Sequence, residues 1–137
     1  MNGNWMLKFF GLSTAMLLPL AGCSEPGGPA RYEVSGEVTF DGSPVPGGRI
    51  MFAPDTSKNN SGPGSVAEIE DGRYRTRPSK GFVGGPCVAT IYGTDGTVVT
   101  EQRDNSLFAS YRTELDLPRA NCRHDFVVPG PSPPTEP

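Results

Sequence analysis

The sequence predicts an all-β fold, an antiparallel sandwich of seven short strands. Three observations predict it. Apolar and polar residues alternate in short runs, as Tyr32, Val34, Val38 and Phe40 do against Glu33, Ser35, Glu37 and Thr39; this is the repeat of a strand with one buried face. The 18 Gly and 15 Pro of the 137 residues fall largely between those runs, where they mark turns. Beyond the first 22 residues no apolar pattern of helical period extends far enough to form a useful helix. Seven strands in about 98 residues with regular turn signals argue a sandwich, with a small closed barrel as the alternative.

Residues 31–40 form the clearest strand, and Gly36 falls on its apolar side, where a bulge or a close backbone approach is expected. Asp41-Gly42 turns the chain, and residues 44–48 form a rigid, irregular link. The second strand is 49–53, with Ile50 and Phe52 inward, followed by a long polar loop over 54–64. Residues 65–69 and 73–77 read as a hairpin across Glu70-Asp71-Gly72, with Val66, Ile69 and Tyr74 among its apolar contacts. A Gly-rich connection over 78–86 leads to a strand over 87–92, with Cys87, Ala89 and Ile91 on one face. A third long loop, 93–106, precedes an alternating strand over 111–117. The last strand, 121–128, puts Cys122, Phe126 and Val128 on one side, and the Pro-rich tail 129–137 is expected to be extended and disordered. The domain is thus residues 31–128.

The front of the chain is of another kind. Lys8 and the amino terminus supply positive charge, and Phe9 to Leu20 is an apolar run of 12 residues, too short to span a bilayer core of about 30 Å. Pro19 breaks any helix near its end. The run finishes in Leu20-Ala21-Gly22-Cys23, which resembles the lipobox of bacterial lipoproteins. The resemblance implies a signal peptide over 1–22, cut between Gly22 and Cys23. It also implies diacylglycerol on the Cys23 thiol and an acyl chain, such as palmitate, on the new amino terminus, with no other cofactor. Residues 23–30 would be the lipidated cysteine and a flexible tether. The chain would sit in the cell envelope, lipid-anchored to a bacterial membrane and facing the periplasm or the outside. Two other readings of the segment are a buried N-terminal helix and cleavage by an ordinary signal peptidase that leaves Cys23 a free thiol.

Removing Lys8 with such a leader lowers Lys+Arg from 12 to 11 against 15 Asp+Glu, a formal charge of −4. Basic residues scattered over an acidic chain argue against nucleic acid as a partner and against a polybasic lipid-binding patch. The domain is expected to be a monomer. With Cys23 lipidated, Cys87 and Cys122 remain as an even pair in an oxidising compartment. A disulfide between them would close a loop of about 35 residues and contribute roughly 3–4 kcal/mol. The pair is expected to be bonded; two buried thiols acting as small apolar residues are the alternative.

The segment Val34-Ser35-Gly36-Glu37-Val38-Thr39-Phe40-Asp41-Gly42-Ser43-Pro44-Val45-Pro46-Gly47-Gly48 resembles the opening of carboxypeptidase regulatory-like (transthyretin-like) domains. Together with Phe52-Ala53-Pro54 and the Asp71-Gly72-x-Tyr74 hairpin, it is similar to small lipoproteins of planctomycete-type bacteria. The likeness covers about residues 32–128. It implies a seven-stranded Ig-like sandwich and no inherited activity, because the peptidase module to which such domains are appended is absent here. The chain ends Pro-Thr-Glu-Pro, unlike the Tyr-Arg-Gly-Ser ending of the hydroxyisourate hydrolase branch.

No catalytic centre is legible. His124 is the sole histidine, and its two-residue spacing from Cys122 on a strand lacks a matching set of zinc ligands. Asp41, Asp71 and Asp95 each precede Gly, which is first a turn dipeptide, and no Asp-rich twelve-residue calcium loop is present. The Gly-Pro clusters lack the Gly-Lys-Ser/Thr of a phosphate loop. The reading is a non-catalytic, lipid-anchored domain with a structural or display role. The alternative is a module that binds an envelope glycan or partner protein through loops 55–64, 80–85 and 95–105. Asp55, Lys58, Asn59, Asn60, Lys80, Asp95 and Arg103 are its candidate residues.

Overall fold

Period-two alternation becomes inward and outward faces along every long strand. The structure is a computed structural model and describes residues 27–131. The expected leader, Gly22 and Cys23, the start of the tether and the end of the tail lie outside the described residues. The strands are β1 (Val34–Phe40), β2 (Ser43–Pro44), β3 (Gly47–Pro54), β4 (Ser65–Glu70), β5 (Arg73–Thr76), β6 (Gly85–Thr94), β7 (Tyr111–Leu117), β8 (Cys122–Arg123) and β9 (Phe126–Val128). All nine belong to one sheet, in which seven follow the order β2-β1-β5-β4-β3-β6-β7, antiparallel at each step. The sheet curls into a half-barrel, consistent with the expected Ig-like or β-sandwich type of fold.

The core lies inside the curl. Val34 and Val38 of β1, Ile50 and Phe52 of β3, Ala67 and Ile69 of β4, and Cys87, Ala89 and Ile91 of β6 are all buried there. The Phe52 ring stands 6.0–6.2 Å, centroid to centroid, from Tyr74, Phe82 and Phe126, an aromatic centre that ties four segments together. Both Asp-Gly turns are tight two-residue hairpins. Asp41 and Asp71 adopt φ of 50° and 48°, and Gly42 and Gly72 of 77° and 75°, the backbone that matches the twist of flanking strands.

Several details depart from the sequence reading. Val66 points outward opposite Met51; three residues from Ile69, it cannot share its face on a two-residue repeat, and Ser65 and Ala67 fill the inward positions. The supposedly irregular links carry core residues: Val45 and Phe82 are completely buried, and Val83 nearly so. The last strand is split. β8 and β9 both pair with β1 in parallel, in registers Val34↔Cys122 and Val38↔Phe126. The direction follows from β7, which ends beside Gly85 at the end of the sheet where β1 begins, so the short link over 118–121 enters alongside β1 heading the same way.

Between β8 and β9 the chain arches against Gly36. A Cβ on that residue would overlap the His124 carbonyl oxygen and lie 2.7 Å from its carbon. The close approach expected at Gly36 is therefore present. His124 N–H donates to Ser35 O at 2.8 Å, Glu37 N–H donates to Asp125 Oδ1 at 2.8 Å, and the Tyr74 hydroxyl donates to the His124 carbonyl.

The expected disulfide is absent: Cys87 and Cys122 are both free thiols. Both side chains point toward one core, from different strands. Cys87 pairs with Pro54 and Leu115, Cys122 with Val34, and β5, β4 and β3 separate β1 from β6 along the sheet. Each sulfur serves as a small apolar group in or against the core.

Candidate functional site

Two ends and one outer face of the half-barrel carry the polar chemistry. Residues 27–33, the loops 55–64 and 77–84, and the link 118–121 gather where β1 begins. The turns 41–42 and 71–72 and the loop 95–105 gather at the opposite end, where the Asp71 and Gly72 amides donate to Pro46 O and Val45 O at 3.0 and 2.8 Å. The three sequence-predicted binding loops thus do not form one surface. Loops 55–64 and 80–85 share the amino-terminal end, whereas 95–105 lies a full length of β6 away, about 33 Å for a strand of ten residues.

Most of the candidate binding residues hold their own loops in shape. Asp55 Oδ1 accepts the Ser57 amide at 3.0 Å and the Ser57 hydroxyl; that hydroxyl bond leads the interactions that hold the Asp55 carboxyl below its usual range. Lys58 Nζ lies 2.8 Å from Glu114 and 3.5 Å from Asp55, and the Glu114 bond holds its ammonium above the usual lysine range. Asn59 closes the turn at φ 57°. Asn60 is buried, and its Nδ2 donates to Gly84 O and Pro86 O at 2.8 and 2.7 Å, pinning loop 55–64 to the start of β6.

The far loop uses the same device. Asp95 Oδ1 accepts the Thr97 amide at 2.8 Å and the Thr97 hydroxyl, and its Oδ2 meets Arg103 at 3.1 Å. The Asp95 carboxyl is lowered, by the Thr97 hydroxyl first. Asp104 repeats the pattern with Ser106. Asp-x-Ser/Thr therefore recurs as the local brace of both loops. Beyond that brace the loop tip exposes Val98 and Val99. Of the candidate residues, Lys80 alone offers a charged side chain with neither a carboxylate partner nor a side-chain hydrogen bond among the described residues.

The outer face is a lattice of alternating charge, unforeseen by the sequence reading. Strand order sets Glu33 and Glu37 of the β1 segment beside Arg73 and Arg75 of β5, which in turn face Glu70 and Glu68 of β4. Glu68 faces Arg49 of β3, whose guanidinium stacks on Tyr92 at 5.2 Å. Ion pairs join Arg75 to Glu33 at 3.1 Å and Arg123 to Glu37 and Asp125 at 3.4 and 3.2 Å. An open concavity of about 1030 Å³ lies over Glu37, Glu68, Arg73, Arg75, Arg77 and Arg123, among others. Period two in Arg73-x-Arg75-x-Arg77 was the available signal: it places three guanidinium groups on one column.

Among the described residues no three His, Cys, Asp or Glu side chains converge as metal ligands. His124 packs edge-on against Phe126 with ring centroids 4.7 Å apart. Burial, then the charges of Asp116, Cys122 and Asp55, push the Cys87 thiol up to about 12, so it is protonated at neutral pH and a poor nucleophile.

No family model, curated protein or solved structure matches this chain.

The site thus consists of braced loops at both ends and an outer face of opposed charges.

Proposed function

We propose that this protein is a lipid-anchored, non-catalytic domain of the bacterial cell envelope, with a structural or display role. The observation that carries the reading is Leu20-Ala21-Gly22-Cys23 at the close of a short apolar run, with only seven residues, 24–30, between it and the domain. A single acyl chain holds marginally, and two or more hold stably; attachment through Cys23 would then ask nothing of the folded part. The finer kinship, to carboxypeptidase regulatory-like domains of small lipoproteins, is supported by the order of its pieces: Gly36 within β1, the Asp41-Gly42 turn, the Pro44–Gly48 link into β3 and the Asp71-Gly72 hairpin.

A second reading is a binding module for an envelope glycan or partner protein. The arginine-lined concavity over β1, β5 and β4 favours it, and glycan-array or pull-down binding lost in Arg75→Ala would support it.

The anchoring reading is tested by intact mass and membrane fractionation of the protein made in its own host. The expected product begins at an acylated Cys23 and stays with the membrane, and Cys23→Ala yields an uncleaved or soluble chain. A native product that keeps residues 1–22, or an unmodified soluble one, refutes it.

A further inference from the structure

Sequence scatters the basic residues; the topology sorts them. Arg31, Arg77, Lys80 and Arg119 have no carboxylate within 4.0 Å among the described residues, and all four flank the segment 77–85. Arg31 donates from Nε to Gly81 O at 2.8 Å and from its terminal nitrogen to Gly64 O at 2.6 Å. Arg119 reaches Val83 O at 3.5 Å from the other side. Arg31, Arg77 and Lys80 line a cleft of about 440 Å³ in which Glu68 is the one carboxylate. Nearby Lys58 is already matched to Asp55 and Glu114. The opposite end carries Asp41, Asp71, Asp95, Glu101 and Asp104, and its cations Arg73 and Arg103 are paired with Glu37 and Asp95.

Cations without a carboxylate partner are therefore concentrated where the chain enters, at an end that also carries Glu33, Asp55 and Asp116. We infer that the amino-terminal end, through Arg31, Arg77, Lys80 and Arg119, rests on an anionic lipid surface. The inference builds on attachment through Cys23. Two magnitudes support it. The tether, residues 24–30, reaches at most about 23 Å when extended, which is short enough to let the four cations meet the headgroups. The opposite end is about 33 Å distant along β6, while screening at physiological salt acts within about 8 Å, so its repulsion does not reach the membrane. Each cation at an anionic surface favours contact by roughly fivefold. An anionic membrane is favoured over a soluble polyanion because Cys23, the proposed anchor, precedes this end by only seven residues of sequence.

The test takes the protein isolated from its own membrane and reconstitutes it in phosphatidylcholine vesicles, with or without about one-third phosphatidylglycerol. Hydrogen exchange is followed by segment. Residues 77–85 and 118–121 should exchange more slowly on the anionic vesicles, with the difference lost in 0.5 M NaCl and loop 95–105 unchanged throughout. Arg77→Gln with Lys80→Gln, two exposed side chains without side-chain hydrogen bonds, should weaken the anionic preference by about 25-fold while the protein stays vesicle-bound. Equal exchange on the two vesicle types overturns the inference, as does equal protection by a soluble sulfated polysaccharide, which would make the end a polyanion site. Failure of the protein to stay with neutral vesicles would instead strike at the anchor itself, a separate outcome.

Discussion

Gly36→Ala is the substitution on which the architecture depends most sharply. The residue is buried in β1 between β5 on one side and the β8–β9 arch on the other. Its φ is not positive, so alanine brings no conformational strain and the whole effect is steric. The added methyl would overlap the His124 carbonyl oxygen, lie 2.7 Å from its carbon and 3.0 Å from Asp125 Oδ1. Contact between carbon atoms is favourable at about 3.5–4.0 Å, so the arch must retreat by roughly 1 Å. That movement loosens three hydrogen bonds together: His124 N to Ser35 O, Glu37 N to Asp125 Oδ1, and the buried Tyr74 hydroxyl to His124 O. At about 1 kcal/mol for each bond, and more for a buried group left unpaired, the expected cost is about 3–5 kcal/mol. For a domain of this size that lowers Tm by well over 10 °C, at about 4–8 °C per kcal/mol. Gly42→Ala is the control. No atom lies within 4 Å of its added methyl, and its φ of 77° should cost about 1–2 kcal/mol. Urea and thermal melts of the two variants provide the comparison. If Gly36→Ala proves no less stable than Gly42→Ala, the arch does not pack on β1 and the parallel pairing of β8 and β9 is wrong.

Two further outcomes follow from buried polar groups. Asn60→Ala removes the donor to Gly84 O and Pro86 O and should cost about 1–3 kcal/mol, with faster hydrogen exchange confined to loop 55–64 and the start of β6; exchange that rises uniformly would deny Asn60 its local role. Cys87 and Cys122 should migrate identically with and without reductant, and Cys87 should resist iodoacetamide until the protein is denatured; prompt labelling of Cys87 in the native protein would contradict its burial. Its raised thiol pKa also sets a pH dependence with a definite sign. The folded value of about 12 stands above the ordinary 9.0, so this stabilisation is complete below about pH 9 and declines as pH rises toward 12. Cys87→Ala should flatten that alkaline limb, and a limb of unchanged slope would mean that another group causes it.

What the sequence alone determined is local. Alternation told which residues face inward along β1, β3, β5, β6 and β7, because side chains on a strand must point to opposite sides in turn. Asp41-Gly42 and Asp71-Gly72 announced their turns because few other dipeptides accept positive φ at both centres. Gly36 announced a close approach, though not by what. Only the tertiary structure decided which strands are neighbours, and everything non-local follows from that choice. Strand order put Cys87 on β6 and Cys122 on β8, where both are free thiols, although an even pair in an oxidising compartment had suggested a bond. It divided the three long loops between two ends and turned separate Arg and Glu residues into an outer lattice of opposed charges. It also drew Arg31, Arg77, Lys80 and Arg119 together around one segment. The physical reason is the same in each case. A side chain's direction depends on its own backbone, whereas its neighbours depend on how distant segments bury their apolar faces together, and that is a property of the whole sheet.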